Sequence, residues 1–503
     1  MRFFKSILLM LSVAVSCTLS CTKPDNGSEG TTPTINFKSN PVLVAAGAGN
    51  YTVEVTSSAK WTATPQVDWI SDVSASGDGN LAFSVAANTG SAFRDGKIRF
   101  SFSGSSYTKD LTIRQAAKLD GISTDVKEVK LAVNGTNQDI NVTADSWSVK
   151  NVSEDWLQAK KKNAAALTLG ADVNFTGNAR KATVTLTDGS ADLVLNVTQE
   201  HSDAYFKNAT TVETRKLVYK LGSMVTSVAA DSFVRVNDGL SYIHLNYSGP
   251  VVGSTQNSAF FLYEVDLTKN LDLVMTCAKD DDASIKLVDT EITDKDIMRK
   301  QYADLQKNRP GIKVLGGVNG DFFFGEESKG RGNLLHGVMW RKGVCLKDTF
   351  DGGVACTVFA MMKDGTAKVM SQADYAAEKS NIYEALGARQ RILDNGVSVN
   401  TSDKTLEPRT AVGVSPDRKT VYLLVFDGRK TYWSTGATYD MMANIFSAVG
   451  ASNATNLDGG GSSTFALLKT NAAGTSESDY NVLNKVSDGD DRKVVNGIAI
   501  VQK

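Results

Sequence analysis

The alternation of apolar and polar positions near the C-terminus predicts an amphipathic helix followed by a short strand. Apolar residues recur at helical spacing between Thr438 and Val449, at Met441, Met442, Ile445, Phe446 and Val449. Gly450 stands where helices commonly end, and a short strand then runs to Leu457. This order places Asp458 directly past the end of a strand.

Two further apolar runs predict a β-hairpin. Residues 409–414 and 421–426 flank a polar turn that contains Pro416. Because hairpin strands are antiparallel, Arg409 at the start of the first and Arg429 just after the second are expected at the same edge. Guanidinium groups suit phosphate or carboxylate, so the pair predicts an anion clamp. Solvated surface arginines are the alternative.

A third strand is predicted from Val314 to Val318, and it is again followed by polar groups. Asn319 and Asp321 come after it, and three phenylalanines follow. The arrangement is typical of a site at a strand end, but an Asx turn beside an aromatic cluster would show the same pattern.

Residues 456–464, Asn-Leu-Asp-Gly-Gly-Gly-Ser-Ser-Thr, are the strongest candidate for chemistry. Consecutive glycines allow backbone N–H groups to converge on an anion, and hydroxyls follow the carboxylate of Asp458. The candidate residues are Asp458, Gly459, Gly460, Gly461, Ser462 and Ser463. A tight turn capped by the aspartate is the alternative reading of this segment alone.

The N-terminal half contains an internal repeat with a period of about 85 residues, which is the size of a domain. The second copy repeats Trp61, Asp68-Trp69, Asn88, Arg94 and Gln115 of the first as Trp147, Asp155-Trp156, Asn174, Arg180 and Gln199. Each copy alternates short β-rich runs with turn signals, which predicts two small β-sandwiches, 35–118 and 119–201. The tryptophans are expected in the core, with sugar stacking as the alternative.

The remaining residues, 202–503, are enough for one substantial core. Strands and helices do not alternate regularly, so we predict an α+β domain with a mixed, largely antiparallel sheet. The second expected helix runs from Asp294 to Gln306, with a capping box formed by Thr293 and Asp296.

Taken together, the separated motifs of 202–503 resemble the phosphodiester glycosidase family, which cleaves N-acetylglucosamine-1-phosphodiesters. The motifs are Asn319 to Phe323, Pro408 to Gly413, Asp427-Gly428-Arg429, Asn456 to Thr464 and Arg492 to Asn496. Two features depart from the family pattern: Gly320 stands where small residues such as alanine are usual, and Arg492 follows an acidic run. The two repeats resemble BACON domains, which occur on bacterial surface proteins that act on carbohydrates.

The resemblance implies a hydrolase that cleaves the sugar–phosphate glycosidic bond. Asp458 and Asp321 are expected to supply the nucleophile or base, while Arg409 and Arg429 bind the departing phosphate. Asn319 and Asn496 would orient sugar hydroxyls or the carboxylates. Further expected substrate contacts are Thr410, Asp427, Gly459, Gly460, Gly461, Ser462, Ser463 and Arg492.

Two other functions stay open at this point. No cofactor is certain, but Asp321, Asp427 and Asp458 could hold a calcium or magnesium ion for metal-dependent P–O cleavage. A non-catalytic, glycan-binding surface lipoprotein is the alternative from another class.

The first 34 residues predict export and anchoring. Residues 1–21 combine basic residues, an apolar run and a lipobox-like Thr18-Leu19-Ser20-Cys21, so Cys21 is the expected lipidation site, with Cys17 as the less favoured alternative. Residues 22–34 are rich in Pro, Gly, Ser and Thr and would form a flexible tether. The protein is therefore expected at the outer membrane or cell surface, with the periplasmic face as an alternative.

Composition excludes some functions and leaves the cysteines undecided. The formal net charge of −1 offers no footprint for nucleic acid, and three histidines do not support a histidine-rich zinc site. Cys277, Cys345 and Cys356 follow the leader. We expect either a Cys345–Cys356 disulfide, which is the preferred pairing, or free buried thiols.

Overall fold

The computed structural model describes residues 32–503 except 75, 78, 286–293, 329–331, 354, 400 and 401. It shows a β-rich chain with few helices and several largely antiparallel sheets. The predicted signal segment, lipidation site and most of the tether lie outside the described residues. Among the residues described, no helix is both long and apolar enough to span a membrane.

The first repeat forms two sheets around one core. Its strands are β1 Ile35–Phe37, β2 Val42–Val44, β3 Gly49–Ser57, β4 Trp61–Pro65, β5 Ile70–Ser71, β6 Ser76–Gly77, β7 Asn80–Val85, β8 Arg94–Phe102 and β9 Thr108–Gln115. The sheet orders are β1-β3-β7-β5 and β2-β9-β8-β4-β6, in which β2 and β9 are parallel. Alternate residues of both sheets meet in a single buried cluster.

The second repeat has the same plan. Its strands are β10 Ser123–Thr124, β11 Glu128–Leu131, β12 Gln138–Thr143, β13 Ser148–Val152, β14 Leu157–Asn163, β15 Ala166–Ala171, β16 Arg180–Thr187 and β17 Asp192–Gln199. The orders are β10-β12-β15-β14 and β11-β17-β16-β13, with β11 and β17 parallel. Both sheets again share one buried cluster.

The repeat motif is structural in both copies. Arg94 Nε donates to Gln115 Oε1 over 2.8 Å, and its guanidinium lies 4.4 Å from the ring centroid of Trp69. Arg180, Gln199 and Trp156 reproduce both distances. Trp61 and Trp147 are buried in the two clusters, which confirms the expectation that they belong to the core.

The described residues of the C-terminal part form three antiparallel sheets. Their strands are β18 Ser227–Asn237, β19 Leu240–Val251, β20 Ser254–Asp266, β21 Leu271–Cys277, β22 Lys313–Asn319, β23 Met339–Arg341, β24 Val344–Lys347, β25 Thr357–Met362, β26 Ala367–Met370, β27 Ile382–Ala388, β28 Arg391–Asp394, β29 Val397–Ser398, β30 Arg409–Val414, β31 Thr420–Phe426, β32 Asn453–Leu457, β33 Phe465–Leu468, β34 Tyr480–Val482 and β35 Asn496–Gln502. The orders are β18-β19-β20-β31-β30-β32-β28-β29, β21-β35-β22-β33-β34 and β24-β23-β27-β25-β26. All three sheets contribute to the largest buried cluster.

The α-helices are few. They are α1 Val212–Leu221, α2 Met298–Asn308, α3 Gln372–Glu378 and α4 Tyr439–Val449. The predicted C-terminal helix is confirmed as α4, because Thr438 caps it through Met441 N and Gly450 ends it with φ of 100°.

The predicted start of the second helix was wrong. α2 begins at Met298, and its N-cap Ile297 provides no side-chain cap. Asp296 instead forms an isolated β-bridge with Val494, and its carboxylate accepts from the N–H of Ile297. Pairing with a distant strand segment therefore replaces the expected first turn, while Thr293 lies outside the described residues.

The preferred disulfide was also wrong, since Cys277, Cys345 and Cys356 are all free thiols. Cys345 lies on β24 opposite Trp340, whereas the Cys356 thiol is directed at the carbonyl of His336, 3.8 Å away. The two side chains serve different packing environments, and the alternative of free thiols is the one observed.

The second repeat packs against the C-terminal part through its Asn174-Phe175-Thr176-Gly177 loop. The ring centroids of Phe175 and Phe206 are 5.3 Å apart, and those of Phe175 and Tyr219 are 5.7 Å apart. Arg215 Nη1 donates to the Phe175 carbonyl over 3.2 Å. Phe175 thus joins the cluster beneath α1 and α4.

Candidate active site

Strand pairing brings the three predicted polar segments to one edge of the sheets. Arg409 pairs with Phe426, and Thr410 pairs with Leu457, so the start of β30 lies beside the ends of β31 and β32. The end of β22 lies beside the start of β35, where Asn319 pairs with Gly497. Backbone hydrogen bonding then connects the two sheets, because Asp458 N donates to the carbonyl of Gly320 over 2.9 Å.

Asp321 is a buried carboxyl group in an unusual setting. Its Oδ2 accepts from Gly337 N over 2.8 Å, while Oδ1 has no hydrogen-bond partner among the described residues. Burial raises the pKa of Asp321 to about 7, and the charge of Asp458 adds to the rise, although Gly337 N–H and Lys347 oppose it. This carboxyl can therefore carry a proton near neutral pH.

Asp458 follows β32 as predicted and is partly exposed. Gly459 N donates to its Oδ1 over 2.9 Å. Burial raises the pKa of Asp458 to about 6, while the Ser462 hydroxyl, Gly459 N–H and the charge of Arg492 lower it. Two interacting carboxyl groups with raised pKa values thus lie at the same edge.

The glycine turn brings the two arginines Arg429 and Arg492 close to its backbone. Gly460 has φ of 62°, and a Cβ there would lie 3.4 Å from Arg429 Nη2. A Cβ on Gly461 would lie 2.2 Å from Arg492 Nη2, so no larger residue fits without moving that guanidinium. Arg429 pairs with Glu407 and Arg492 with Asp488, and both arginine side chains are more than 40% exposed.

Asn319 and Asn496 hold the strand ends together. Asn319 Nδ2 donates to the Asp458 carbonyl, and its Oδ1 accepts from Thr410 Oγ1 and Thr464 N. Asn496 Oδ1 accepts from Asp321 N over 2.8 Å. Both amides are buried, so in this structure they position the two carboxyl groups.

The predicted arginine pair flanks the segment before β30. Arg429 donates to the Glu407 carboxylate, while Arg409 donates to the Thr405 carbonyl and lies 4.5 Å from the ring centroid of Tyr439. Among the described residues, Arg409 has no carboxylate within ion-pairing distance. The common edge is as predicted, but each guanidinium already has its own protein partners.

Asp427 is buried and engaged by the protein. Its carboxylate accepts from Trp433 Nε1, Asn484 Nδ2 and Lys485 N. Burial nevertheless raises its pKa. This carboxyl group holds the segment after β31 against residues 484–485.

Three residues of this region were not anticipated from the sequence: His336, Lys347 and Arg389. Arg389 Nη1 lies 3.4 Å from His336 Nδ1, and its guanidinium is 5.5 Å from the ring centroid of Phe322. Lys347 is buried and pairs with Asp351. Only a lone histidine and scattered basic residues mark these positions in the sequence, so topology alone reveals the group.

Several buried polar atoms here have no hydrogen-bond partner among the described residues. They are Asp321 Oδ1, Arg389 Nε, both side-chain amide atoms of Asn456, and Ser463 Oγ. Leaving a buried donor or acceptor unpaired costs about 1–3 kcal/mol. Their concentration around one strand edge is typical of a site that receives a polar ligand.

The residues that the structure describes contain no group of three or more His, Cys, Asp or Glu arranged to hold a metal ion. The Asp427 carboxylate in particular already accepts hydrogen bonds from Trp433, Asn484 and Lys485. The geometry therefore does not bring Asp321, Asp427 and Asp458 together as one cation site.

The architecture and site define a multidomain β-rich protein with a paired-carboxyl polar site at a strand edge. Residues 313–501 match the family model described as phosphodiester glycosidase, and residues 59–116 match the BACON model, described as a binding domain, N-terminal. Both resemblances drawn from the sequence motifs are thereby confirmed over these residues.

Among known proteins, the SPbeta prophage-derived uncharacterized protein YomE of Bacillus subtilis is 32% identical over 180 residues, covering 33% of this chain. The match spans about a quarter of that relative, 25% of its length.

Two solved structures are similar in part. The zebrafish N-acetylglucosamine-1-phosphodiester alpha-N-acetylglucosaminidase catalytic domain, auto-inhibited by its pro-peptide, has 17% identity, a TM-score of 0.38 and coverage of 60% of this chain and 93% of its own. A hypothetical protein from Synechocystis has 11% identity, a TM-score of 0.36 and coverage of 84% and 82%.

Proposed function

We propose that this protein hydrolyses the glycosidic bond of a sugar 1-phosphodiester, such as a GlcNAc-1-phosphodiester glycan. The observation that carries the proposal is the pair Asp321 and Asp458, two interacting carboxyl groups with pKa values raised to about 7 and about 6 at one strand edge. The phosphodiester glycosidase match over 313–501 supports this reaction class.

The environments divide the two carboxyl groups between two roles. Asp458, with the lower pKa, is the carboxylate that attacks the anomeric carbon or takes the proton of the attacking water. Asp321, with the higher pKa, stays protonated and donates a hydrogen bond to the departing oxygen. The C1–O bond breaks, water supplies the new hydroxyl, and a phosphate monoester leaves.

Fixed positive charge assists departure of the phosphate monoester. Arg429 and Arg492 lie against the glycine turn, and Arg409 lies at the same edge on Tyr439. A phosphate monoester is already a weak base, so it needs charge stabilisation more than strong protonation. The Gly459–Gly461 backbone and the Ser462 and Ser463 hydroxyls supply further donors to substrate.

The rest of the chain is assigned a supporting role. We place a catalytic domain at 202–503 with an α+β fold, and β-sandwich spacers at 35–118 and 119–201. Residues 1–21 serve as a lipoprotein signal, Cys21 as the lipidated residue and 22–34 as the tether. The protein then works on the bacterial outer membrane or cell surface, or on its periplasmic face.

The direct test is an assay of the full chain on a GlcNAc-α-1-phosphate diester that resolves free sugar from sugar 1-phosphate. Free GlcNAc is expected, and Asp458→Asn should reduce its formation at least a hundredfold, on the order of the loss caused by removing a key catalytic group. Sugar 1-phosphate whose formation stops with EDTA would instead establish metal-dependent P–O cleavage. Binding without turnover by a folded protein would favour the glycan-binding lipoprotein.

A further inference from the structure

Arg389 stands out as a partly buried cation near Phe322, the residue that directly follows Asp321. It follows β27, and its backbone is held on two sides, because its N–H donates to the Asn456 carbonyl over 2.8 Å and its own carbonyl accepts from Thr357 Oγ1 over 2.7 Å. The side chain extends toward Phe322 and His336. The guanidinium therefore projects from a rigid backbone next to the end of β32.

The charge of Arg389 is not neutralised by the protein. Among the described residues it forms no ion pair, whereas neighbouring Lys347 is satisfied by Thr349 and by Asp351, 2.6 Å away. Asp321 acts with Arg389 on the pKa of Cys356, and Asp351 acts with Arg389 on that of His336, but neither carboxylate forms an ion pair with Arg389. A half-buried guanidinium without a counter-ion is costly unless a ligand supplies the negative charge.

Part of the guanidinium is already used and part is free. Nη1 faces His336 Nδ1, and burial together with the charges of Arg389 and Lys347 lowers the pKa of His336 to about 4, so the imidazole is a neutral acceptor. Nε is buried and has no partner in the part of the chain that the structure describes. The edge formed by Nε–H and Nη2–H is the one that arginine uses for bidentate binding of an anion.

We propose that Arg389, stacked on Phe322 and held by His336, forms an anion subsite that binds the phosphate of the substrate on the Asp321 side of the strand edge. This inference rests on the proposed function for the identity of the anion. It assigns phosphate binding to a residue outside the arginine pair at 409 and 429. Phe322 also stacks on His336, with ring centroids 5.9 Å apart, so both groups that contact the guanidinium contact each other.

The decisive experiment compares two substrates that share the sugar and differ in the leaving group. The full chain, Arg389→Gln and the control Arg391→Gln are assayed on a GlcNAc-α-1-phosphate diester and on the uncharged 4-nitrophenyl α-GlcNAc. Arg391 lies two residues further on and pairs with Asp394. Its substitution therefore controls for the effect of removing a guanidinium group from this segment.

A phosphate-binding role predicts a selective loss. Arg389→Gln should lower kcat/KM for the phosphodiester about a hundredfold or more, but lower that for the neutral glycoside less than about fivefold. Arg391→Gln should leave the ratio of the two unchanged. Equal losses on both substrates in Arg389→Gln would show a structural role and overturn the proposal.

A binding measurement separates this inference from the proposed function. Calorimetric titration with inorganic phosphate should show binding by the full chain and by Arg391→Gln, and at least tenfold weaker binding by Arg389→Gln, with or without turnover. Acetate in place of phosphate distinguishes a phosphate site from a general carboxylate site. Equal phosphate affinity in wild type and Arg389→Gln would overturn the anion subsite even if the hydrolase activity were confirmed.

Discussion

Two aspartates that are identical in chemistry acquire different pKa values from their surroundings. Asp321 is buried beside two glycines, whereas Asp458 is partly exposed and accepts from Gly459 N–H. Their pKa values of about 7 and about 6 result from burial opposed to different extents by donors and charges. The two separate roles proposed for these carboxyl groups rest on this difference between their local environments.

The pH dependence of kcat/KM should follow from these values. Activity should rise as pH increases through about 6, because Asp458 must lose its proton, and fall through about 7, because Asp321 must keep its own. The interacting pair titrates in two macroscopic steps, so the optimum is expected between them. Asp321→Asn should remove the alkaline limb in a pH–rate profile; a profile unchanged in shape would contradict the assignment.

Asp321 should also make stability pH-dependent. Its pKa is raised from 3.8 to about 7, so its contribution to the free energy of unfolding is fully present below 3.8 and is lost as pH rises through about 7. The difference in free energy of unfolding between Asp321→Asn and wild type should therefore shift by about 3 kcal/mol in favour of the variant from about pH 4.5 to about pH 8. Urea unfolding at both pH values measures this gain, and a pH-independent difference would argue against the raised pKa.

Two buried asparagines offer a matched comparison. Asn456 is fully buried with both amide atoms unpartnered among the described residues, whereas Asn319 makes three hydrogen bonds. Asn319→Ala should lower the free energy of unfolding by about 3 kcal/mol or more, because it leaves the buried partners of Asn319 without a hydrogen bond. Asn456→Ala should change it by less than about 1 kcal/mol but lower the activity. Equal destabilisation in thermal unfolding would mean that Asn456 is structural.

At the scale of elements, local sequence signals predicted the strands and α4 well. The hairpin of β30 and β31, the strand β22 and the cap residues Thr438 and Gly450 are all found where the pattern placed them. The start of α2 was missed because Asp296 pairs with Val494, almost 200 residues away, and no local signal reports such a contact.

The same reason explains what was missed in the site. Asp321 and Asp458 follow strands with clear apolar patterns, so their placement could be predicted. Arg389 lies between β27 and β28, whereas His336 lies before β23. Pairing of β23 with β27 brings the two residues together, and no local sequence signal reports it. The cysteine pairing failed similarly, since spacing alone does not tell which way a strand residue faces.

Asp321 packs where β27 closely approaches the residues before β23. A Cβ on Gly387 would lie 2.4 Å from Asp321 Oδ2 and 2.5 Å from Gly337 Cα. Gly387→Ala should therefore lower the free energy of unfolding by about 1–3 kcal/mol and reduce the activity. Gly311→Ala is the control, since nothing lies within 4 Å of its Cβ position. Calorimetry showing equal effects would contradict the close approach.

At the scale of the whole molecule, the second repeat is a structural partner of the C-terminal part. Phe175 packs with Phe206 and Tyr219, and its carbonyl receives Arg215. Phe175→Ala should lower the free energy of unfolding of the C-terminal part by about 1–2 kcal/mol, less than the loss for a fully buried phenylalanine, because Phe175 is partly exposed. Phe93→Ala, at a position 69% exposed in the first repeat, should change it little. Unfolding in denaturant, monitored through the loss of enzymatic activity, measures the stability of the C-terminal part in both variants.

The loops that differ between the repeats show how a duplicated module diverges. The first copy reads Asn88-Thr89-Gly90 and the second Asn174-Phe175-Thr176-Gly177, while the asparagine keeps the same turn-holding hydrogen bonds in both. The additional phenylalanine, Phe175, packs the second copy against the C-terminal part. The loop of the first copy has no residue at this position. The two copies are therefore not interchangeable. If their order along the chain were reversed, no phenylalanine would pack on Phe206 and Tyr219.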